Sequence, residues 1–189
     1  MAAVESEMLE LGTEAPGFSL PDPDGRLHGL REDASAYVVM FICNHCPFVK
    51  HVADELAAIG RDYLPRNVDI VAINSNDVDA YPADGPQAMQ QESQLRGYDF
   101  AYVLDPDQSV AKAYRAACTP DFFVFDTEKK LAYRGQLDGS RPSNDIPVTG
   151  ADLRAALDAV LDGTSPAAEQ VPSIGCNIKW RPGNAPAYF

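Results

Sequence analysis

The chain has 189 residues, of which 46% are hydrophobic and 23% charged, and its formal net charge at pH 7 is −13. This size and composition suit one globular domain with a substantial core. The acidity argues against nucleic acid and anionic membrane surfaces as partners, because both would repel the chain. The longest apolar runs are about six residues, far below the roughly 20 that a membrane-spanning helix needs.

The first eleven residues carry Glu5, Glu7 and Glu10 and lack a basic patch followed by an apolar stretch. We therefore predict no secretory signal and a cytoplasmic location. In a reducing cytosol, a close pair of cysteines is more commonly catalytic or metal-binding than a structural disulfide.

Apolar runs that alternate with helical periodicities predict an α/β fold, with a central mixed sheet flanked by helices. Residues 12–30 predict an entry loop and a β-hairpin, because Asp24-Gly25 is a strong turn signal. The predicted elements that follow are strand 37–42, helix 47–63, strand 68–73, helix 86–96, strand 100–104, helix 109–117, strand 122–125, strand 130–135 and helix 151–161. The first two of these strands indicate a right-handed parallel βαβ unit, and the last two an antiparallel hairpin.

The last segment, residues 163–189, has no clear periodicity, so we predict an irregular C-terminal tail. It contains apolar residues such as Ile174 and Trp180, too many for a disordered polar tail. We therefore predict a domain over residues 1–162 that includes the N-terminal hairpin. The tail is expected to pack on this domain or on a partner chain.

Two cysteines, Cys43 and Cys46, stand where the first predicted strand runs into its helix. The unpaired N–H groups and positive dipole of a first helical turn favour a thiolate over a thiol. The thiolate is the nucleophile in disulfide exchange. Pro47 suits a first turn, where its missing N–H costs no hydrogen bond. We predict a redox dithiol that oxidises to a Cys43–Cys46 disulfide and needs no other cofactor.

The order of these features resembles the thioredoxin fold, in which a Thr-Pro pair such as Thr119-Pro120 precedes an antiparallel hairpin. Residues 15–20 (Ala-Pro-Gly-Phe-Ser-Leu), followed by Asp24-Gly25, resemble the opening of the redoxin branch. That branch includes the peroxiredoxins (alkyl hydroperoxide reductase/thiol-specific antioxidant proteins) and the TlpA-type thiol–disulfide oxidoreductases. The resemblance covers roughly residues 12–162. It implies that the Thr119–Pro120 peptide is cis, faces the cysteine pair and contacts incoming thiol substrates.

Two departures from thioredoxin surround the first cysteine. Ile42 stands where thioredoxin has tryptophan, and Asn44-His45 replaces Gly-Pro between the cysteines. Strongly oxidising members of the superfamily also carry a histidine just before the second cysteine. By this resemblance, Asn44 and His45 support catalysis, with His45 stabilising the Cys43 thiolate and making the disulfide a better oxidant.

A third departure bears on peroxidase chemistry. Peroxiredoxins have Thr-x-x-Cys, in which the second position is the peroxidatic cysteine. Here Cys43 replaces that threonine, which weakens a peroxidase interpretation, although Cys46-Pro47 keeps the Cys-Pro pair. No acidic residue stands in residues 37–42, where thioredoxins bury a carboxylate beneath the pair. Proton transfer from Cys46 is therefore expected to need another base, or water.

Two further cysteines are candidate auxiliary thiols. Cys118 immediately precedes Thr119-Pro120, so a thioredoxin-like fold would bring it near the active-site face. The alternative is an inert buried cysteine. Cys176 lies in the tail, where it is a candidate for resolving a disulfide or sulfenic acid on Cys43 or Cys46. The alternative for Cys176 is a cysteine that simply packs beside Trp180.

We predict a thiol–disulfide oxidoreductase in which Cys43 attacks a substrate disulfide and Cys46 resolves the mixed disulfide. Its expected partners are protein or low-molecular-weight disulfides and thiols, and a cellular thiol reductant; a homodimer is one option. One alternative is a thiol peroxidase, in which a hydroperoxide oxidises Cys46 or Cys43. Another is a non-enzymatic copper or zinc carrier that uses both cysteines and a distant histidine. We expect no structural zinc, because the sequence lacks a second Cys-x-x-Cys or a histidine pair to complete four ligands.

Overall fold

In a computed structural model, which describes residues 3–188, strands and helices alternate through most of the chain. The strands are β1 (Ala3–Glu5), β2 (Leu20–Pro21), β3 (Leu27–His28), β4 (Ala36–Phe41), β5 (Val68–Asn74), β6 (Ala101–Leu104), β7 (Cys118–Thr119), β8 (Asp121–Phe125), β9 (Leu131–Gly135) and β10 (Ile174–Asn177). The helices are α1 (Pro47–Tyr63), α2 (Pro86–Arg96), α3 (Ser109–Ala113) and α4 (Ala151–Leu161), with short 3-10 turns at Leu64–Arg66 and Pro82–Asp84.

The central sheet has five strands in the order β6-β5-β4-β8-β9. The pairs β4–β5 and β5–β6 are parallel, whereas β4–β8 and β8–β9 are antiparallel. The predicted mixed sheet of a thioredoxin-like fold is therefore confirmed. The β2–β3 hairpin is also present, and Asp22 Oδ1 closes its turn by accepting the backbone N–H groups of Asp24 and Arg26, each at 2.9 Å.

Strand β4 is buried on both faces, which explains its continuous apolar sequence. Val38 and Met40 pack in a core with α1 and α4, while Val39 and Phe41 pack in a second core with α3 on the opposite face. Successive side chains of a strand point to opposite faces, so one strand supplies both cores. Two packed layers thus fix β4, and with it the loop that follows.

Helix α1 begins at Pro47, with Cys46 as its N-cap residue. Its apolar positions recur every three or four residues, and the buried set includes Val49, Val52 and Leu56. Complete burial of each such side chain contributes about 1.5–3 kcal/mol. The helix is therefore held firmly against the sheet, and its first turn is fixed close to the end of β4.

The helix predicted over residues 109–117 is shorter in the structure, where α3 ends at Ala113. Arg115 has φ = 50°, in the left-handed region, which ends the helix. The next residues then run directly into β7. None of the helices within residues 3–188 combines the length and apolar character needed to cross a membrane.

The C-terminal tail contains β10, a strand that the sequence pattern does not predict. It lies between β1 and β7 in a small antiparallel sheet, and Ala3 and Thr119 flank Cys176 on its two sides. Further along, buried Gln108 donates to the carbonyl of Lys179 at 2.9 Å and accepts the Arg181 N–H at 2.9 Å. The two ends of the described chain therefore meet beside β7.

Candidate active site

The two cysteines of the Cys-x-x-Cys pair lie between the end of β4 and the start of α1. Cys43 is 2% exposed and Cys46 is 0% exposed, and both are free thiols. Cys43 Sγ lies 3.5 Å from Thr119 Oγ1, and the Cys46 thiol donates to the Thr119 carbonyl at 3.2 Å. The Thr119–Pro120 peptide is cis. The fold therefore brings together three of the predicted site residues, since Thr119 contacts Cys43, 76 positions away, and Cys46, 73 positions away. Pro120 follows Thr119 directly.

Asp84 lies beneath the loop between the cysteines and is fully buried. Its Oδ1 accepts the backbone N–H groups of Asn44 at 2.9 Å and His45 at 3.1 Å, and its Oδ2 accepts from the Asn76 amide at 2.9 Å. The carboxylate thus holds the cysteine loop in place. Sequence reasoning missed Asp84; its only signal was a polar loop after a parallel strand, where ligand sites of α/β folds gather.

Asn44 has a scaffolding position in this network. Its side-chain amide donates to the Ala83 carbonyl at 2.9 Å, and its Oδ1 accepts the Tyr102 hydroxyl at 3.0 Å. Asn74, at the end of β5, donates to the Asp84 carbonyl at 2.7 Å. Buried polar groups are costly unless they are hydrogen-bonded, so these paired groups rigidify the loop around the cysteines.

The ring of His45 is directed at Asp84, with Nδ1 2.5 Å from Oδ2. It stacks on Tyr81 with ring centroids 5.3 Å apart and an interplanar angle of 8°. The hydrogen bond of the ring therefore goes to a carboxylate. Support of the Cys43 thiolate by His45 stays a prediction.

The surroundings of the two cysteines shift their pKa values in opposite directions. The hydrogen bond from the Cys43 thiol, above all, lowers the pKa of Cys46 to about 5, and the Val49 backbone N–H adds to this. The same hydrogen bond raises the pKa of Cys43 well above its ordinary value, with burial and the Asp84 charge acting in the same direction. The arrangement thus favours Cys46 as the thiolate, whereas the sequence pattern favoured Cys43.

The carbonyl of Thr119 instead favours a protonated Cys46, because it lies 3.2 Å from the sulfur and can accept a hydrogen bond only from the thiol. We nevertheless favour charge on Cys46. Its sulfur is the one that receives the helix N–H of Val49, whereas the sulfur of Cys43 lies beside a carboxylate.

The two other cysteines have different surroundings. Cys176 is 2% exposed, pairs with Thr119 across β10 and β7, and lies in the same buried cluster as Cys46. Each of these two thiols shifts the pKa of the other. Cys118 is also buried, but its thiol donates to the carbonyl of Pro120 at 3.5 Å. Burial raises the pKa of Cys118 well above its ordinary value. The structure therefore brings Cys176 to the pair and directs the hydrogen bond of Cys118 elsewhere.

One group of metal-ligand type occurs within residues 3–188. Ligand atoms of Cys43, His45 and Asp84 all lie within 4.8 Å of one another. However, the His45 ring and Asp84 already bond to each other, and Asp84 also accepts backbone N–H groups. An ion would have to displace these bonds, and zinc in proteins prefers four tetrahedral ligands. The group is better suited to anchoring the loop than to holding a metal.

Comparisons with known proteins agree with this geometry. Residues 11–134 match the AhpC/TSA family. An uncharacterized conserved protein from Geobacillus kaustophilus is 55% identical, with a TM-score of 0.94 and coverage of 97% of this chain and 98% of that chain. A hypothetical protein from Sinorhizobium meliloti 1021 is 51% identical, with a TM-score of 0.93 and coverage of 95% and 99%. No match was found among curated proteins.

A more distant likeness concerns the fold alone. A secreted Mycobacterium tuberculosis disulfide oxidoreductase, homologous to E. coli DsbE, is 17% identical, with a TM-score of 0.55. The alignment covers 72% of this chain and 90% of that chain. Thioredoxin-fold disulfide oxidoreductases are thus among the structural neighbours, and the matched region contains both cysteines of the pair and Thr119-Pro120. The chain belongs to the AhpC/TSA family of thioredoxin-fold proteins.

Proposed function

We propose that the protein is a thiol–disulfide oxidoreductase whose Cys43 and Cys46 alternate between two thiols and one disulfide. The observation that carries this proposal is the contact of both sulfurs with Thr119, at 3.5 and 3.2 Å, at the start of α1. Two sulfurs that contact the same residue and interact with each other are close enough to form a disulfide. The lowered pKa of Cys46 supplies the thiolate that such exchange requires.

In the proposed cycle, one thiolate of the pair attacks a substrate disulfide and releases the first substrate thiol. The second cysteine then attacks the mixed disulfide and releases the second thiol. Two protein thiols are oxidised and one substrate disulfide is reduced, so electrons balance. The charge distribution favours Cys46 as the attacking residue and Cys43 as the resolving one, the reverse of the order predicted from sequence.

The proposed partners are disulfide and thiol compounds, with a cellular thiol reductant that returns the pair to the dithiol form. We place this cycle in the cytoplasm, where such reductants keep thiols reduced. The near-complete burial of both cysteines favours small disulfides, which need less displacement of the surrounding loops than a protein substrate does.

Thiol counting and peptide mapping test the proposal. Reduced protein is treated with glutathione disulfide, and remaining thiols are counted by alkylation after denaturation. We expect the four thiols to fall to two, with Cys43 joined to Cys46. Cys118→Ala is the matched control and should lose two thiols at an unchanged rate, while Cys46→Ser should form no Cys43–Cys46 bond. Retention of all four thiols in the native chain would exclude the proposed centre.

A thiol peroxidase is the second candidate, because Cys46 combines a lowered pKa with a closed environment. A peroxidatic thiolate attacks the hydroperoxide, becomes a sulfenic acid and is then resolved by a neighbouring thiol, with loss of water. Stopped-flow oxidation by hydrogen peroxide separates the two functions. Fast oxidation that survives Cys43→Ser and disappears in Cys46→Ser would assign the peroxidase. Slow oxidation beside rapid disulfide exchange would assign the oxidoreductase.

A further inference from the structure

A third cysteine, Cys176, lies beside the proposed redox pair in the same buried cluster. In the antiparallel pairing of β10 with β7, Cys176 is directly opposite Thr119. The backbone of Thr119 in turn accepts the Cys46 thiol at 3.2 Å. The same buried apolar cluster contains Cys43, Cys46 and Cys176. Thr119 therefore contacts both sulfurs of the proposed pair and is also the cross-strand neighbour of a third cysteine.

Strand β10 lies unusually close to Thr119 of β7, and Gly175 permits this close approach. A Cβ on Gly175 would lie 2.0 Å from the Thr119 carbonyl oxygen and 3.1 Å from the Pro120 nitrogen. Real Cβ atoms do not approach a backbone oxygen as closely as 2.0 Å, so only glycine allows the strand to reach this position. The next residue, Cys176, is thereby brought into the same buried cluster as Cys46, and each of the two thiols shifts the pKa of the other.

We propose that Cys176 is a third exchanging thiol, which attacks the Cys46 sulfur and moves the disulfide from Cys43–Cys46 to Cys46–Cys176. This inference rests on the proposed function, because it takes the Cys43–Cys46 disulfide as its starting state. Cys176 would thus be a catalytic residue on β10, outside the region that matches the family.

The exchange is balanced without any further reagent. The sulfur of Cys176, once deprotonated, forms a bond to Cys46 Sγ, and the bond between Cys46 and Cys43 breaks. Cys43 leaves as a thiolate and takes up the proton that Cys176 released. The number of disulfides and thiols is unchanged, so the oxidising equivalent has moved from the cysteine loop to β10.

The electrostatics make this step depend on the oxidation state. Burial above all raises the pKa of Cys176 to about 12, and the hydrogen bond and charge of the neighbouring Cys46 thiolate contribute to this rise. Oxidation of Cys46 removes that charge, while the Lys179 ammonium, which acts in the opposite direction, stays. Cys176 therefore becomes easier to deprotonate when Cys46 is part of a disulfide, which is when its attack is useful.

Removal of Cys43 gives a direct test. Without Cys43, Cys46 can form an intramolecular disulfide at this site with Cys176, which is the proposed product. Reduced Cys43→Ser protein, which has three thiols, is oxidised with one equivalent of diamide. Thiols are then counted under denaturing conditions, and peptides are mapped. We expect the count to fall from three to one, with Cys46 joined to Cys176. Cys43→Ser/Cys176→Ser is the matched control and should form no intramolecular disulfide.

The inference is overturned if Cys176 in Cys43→Ser stays a free thiol while the native chain forms its Cys43–Cys46 disulfide under the same conditions. Retention of all four thiols by the native chain would instead overturn the proposed function. Thermal unfolding of both proteins guards against a folding artefact, and Cys43→Ala serves as a second variant should the buried serine hydroxyl disturb the loop. Detection of the Cys46–Cys176 peptide in either variant supports the exchange.

Discussion

Asp84 and His45 are joined twice. The carboxylate accepts the backbone N–H of His45 at 3.1 Å through Oδ1, and its Oδ2 lies 2.5 Å from the ring nitrogen Nδ1. The carboxylate thus fixes both the backbone and the side chain of a residue that lies between the two cysteines. It also places negative charge beside Cys43, which contributes to the raised pKa of that thiol.

Replacement of this carboxylate should therefore change both stability and reactivity. In Asp84→Asn, an amide N–H₂ group faces N–H donors that previously met an oxygen. Hydrogen bonds to charged groups contribute about 1.5–3 kcal/mol, so we expect a loss of about 2–3 kcal/mol in the free energy of unfolding. Loss of the negative charge should also lower the pKa of Cys43. Urea denaturation measures the first effect, and the pH dependence of Cys43 alkylation measures the second.

The matched control is Asp79→Asn, whose carboxylate is exposed and lies 3.3 Å from Arg181. Surface pairs of this kind contribute little, so the free energy of unfolding should change by less than about 1 kcal/mol. Equal losses in the two variants would mean that the buried network around Asp84 does not hold the cysteine loop.

The alkylation rate of Cys46 should rise with pH and reach half its maximum near the pKa of about 5. The Cys43 thiol is the main cause of that low value, because it donates a hydrogen bond to the Cys46 thiolate. Cys43→Ala removes the donor and should move the midpoint to higher pH. Cys43→Ser keeps an O–H donor and should move it less. Iodoacetamide labelling of the Cys46 peptide, followed by mass spectrometry, gives each midpoint.

Two results would contradict this account of the charge. One is a midpoint near the ordinary value of 9.0 for Cys46 in the native chain. The other is an identical midpoint in Cys43→Ala and Cys43→Ser, which would show that the hydrogen-bond donor has no influence.

Gly175→Ala should displace β10, because the new methyl group would lie 2.0 Å from the Thr119 carbonyl. Overpacking of this kind costs about 1–3 kcal/mol. Movement of the strand should also expose Cys176 and speed its labelling in the native protein. Gly17→Ala is the control, since no atom lies within 4 Å of its added Cβ. Thermal unfolding and thiol labelling would be compared in both variants, and slow labelling of Cys176 in Gly175→Ala would contradict the expected displacement.

Asp121 and Arg134 form an ion pair at 3.2 Å in which both side chains are fully buried. Asp121→Asn leaves the guanidinium without its charge partner, although Arg134 still donates to the Arg115 carbonyl at 2.7 Å. Breaking a buried pair costs about 3–5 kcal/mol, so we expect a loss of this size in urea denaturation.

The control for the buried pair is Glu7→Gln, which removes the exposed partner of Arg115. This change should cost less than about 1 kcal/mol. Asp121 lies two residues after Thr119, which contacts both cysteines. Its replacement should therefore also displace Thr119 and slow disulfide exchange. Unchanged stability and exchange in Asp121→Asn would argue against this positioning role.

The sheet and the longer helices could be predicted because their signals are local. The apolar run of β4 and the three-to-four spacing along α1 depend only on neighbouring residues. The cysteine pair carries a motif of its own. Thr119-Pro120 was found only through the resemblance to a known fold, since nothing in the two residues themselves points to a site.

The remaining parts of the site depend on contacts between distant segments. Asp84 lies 40 residues from Asn44 and is preceded by other acidic residues, Asp77 and Asp79, with no local feature to separate them. The strand β10 has four residues without a clear alternation, and it forms only because β1 and β7 flank it. Patterns along the chain do not contain such pairings.

Because β1 pairs with β10, the reactivity of the buried thiols should depend on how firmly the two strands are joined. A reagent can reach sulfurs that are at most 2% exposed only during a local opening, so the observed rate is the intrinsic rate multiplied by the opening equilibrium. An increase of about 1.4 kcal/mol in the free energy of opening β10 would then slow the reaction of the thiols about tenfold. Val4 pairs with Gly175, and Ser6 donates to the Ser173 carbonyl at 2.9 Å. We therefore expect Val4 and Ser6 to influence the reaction rates of the thiols through the stability of β10.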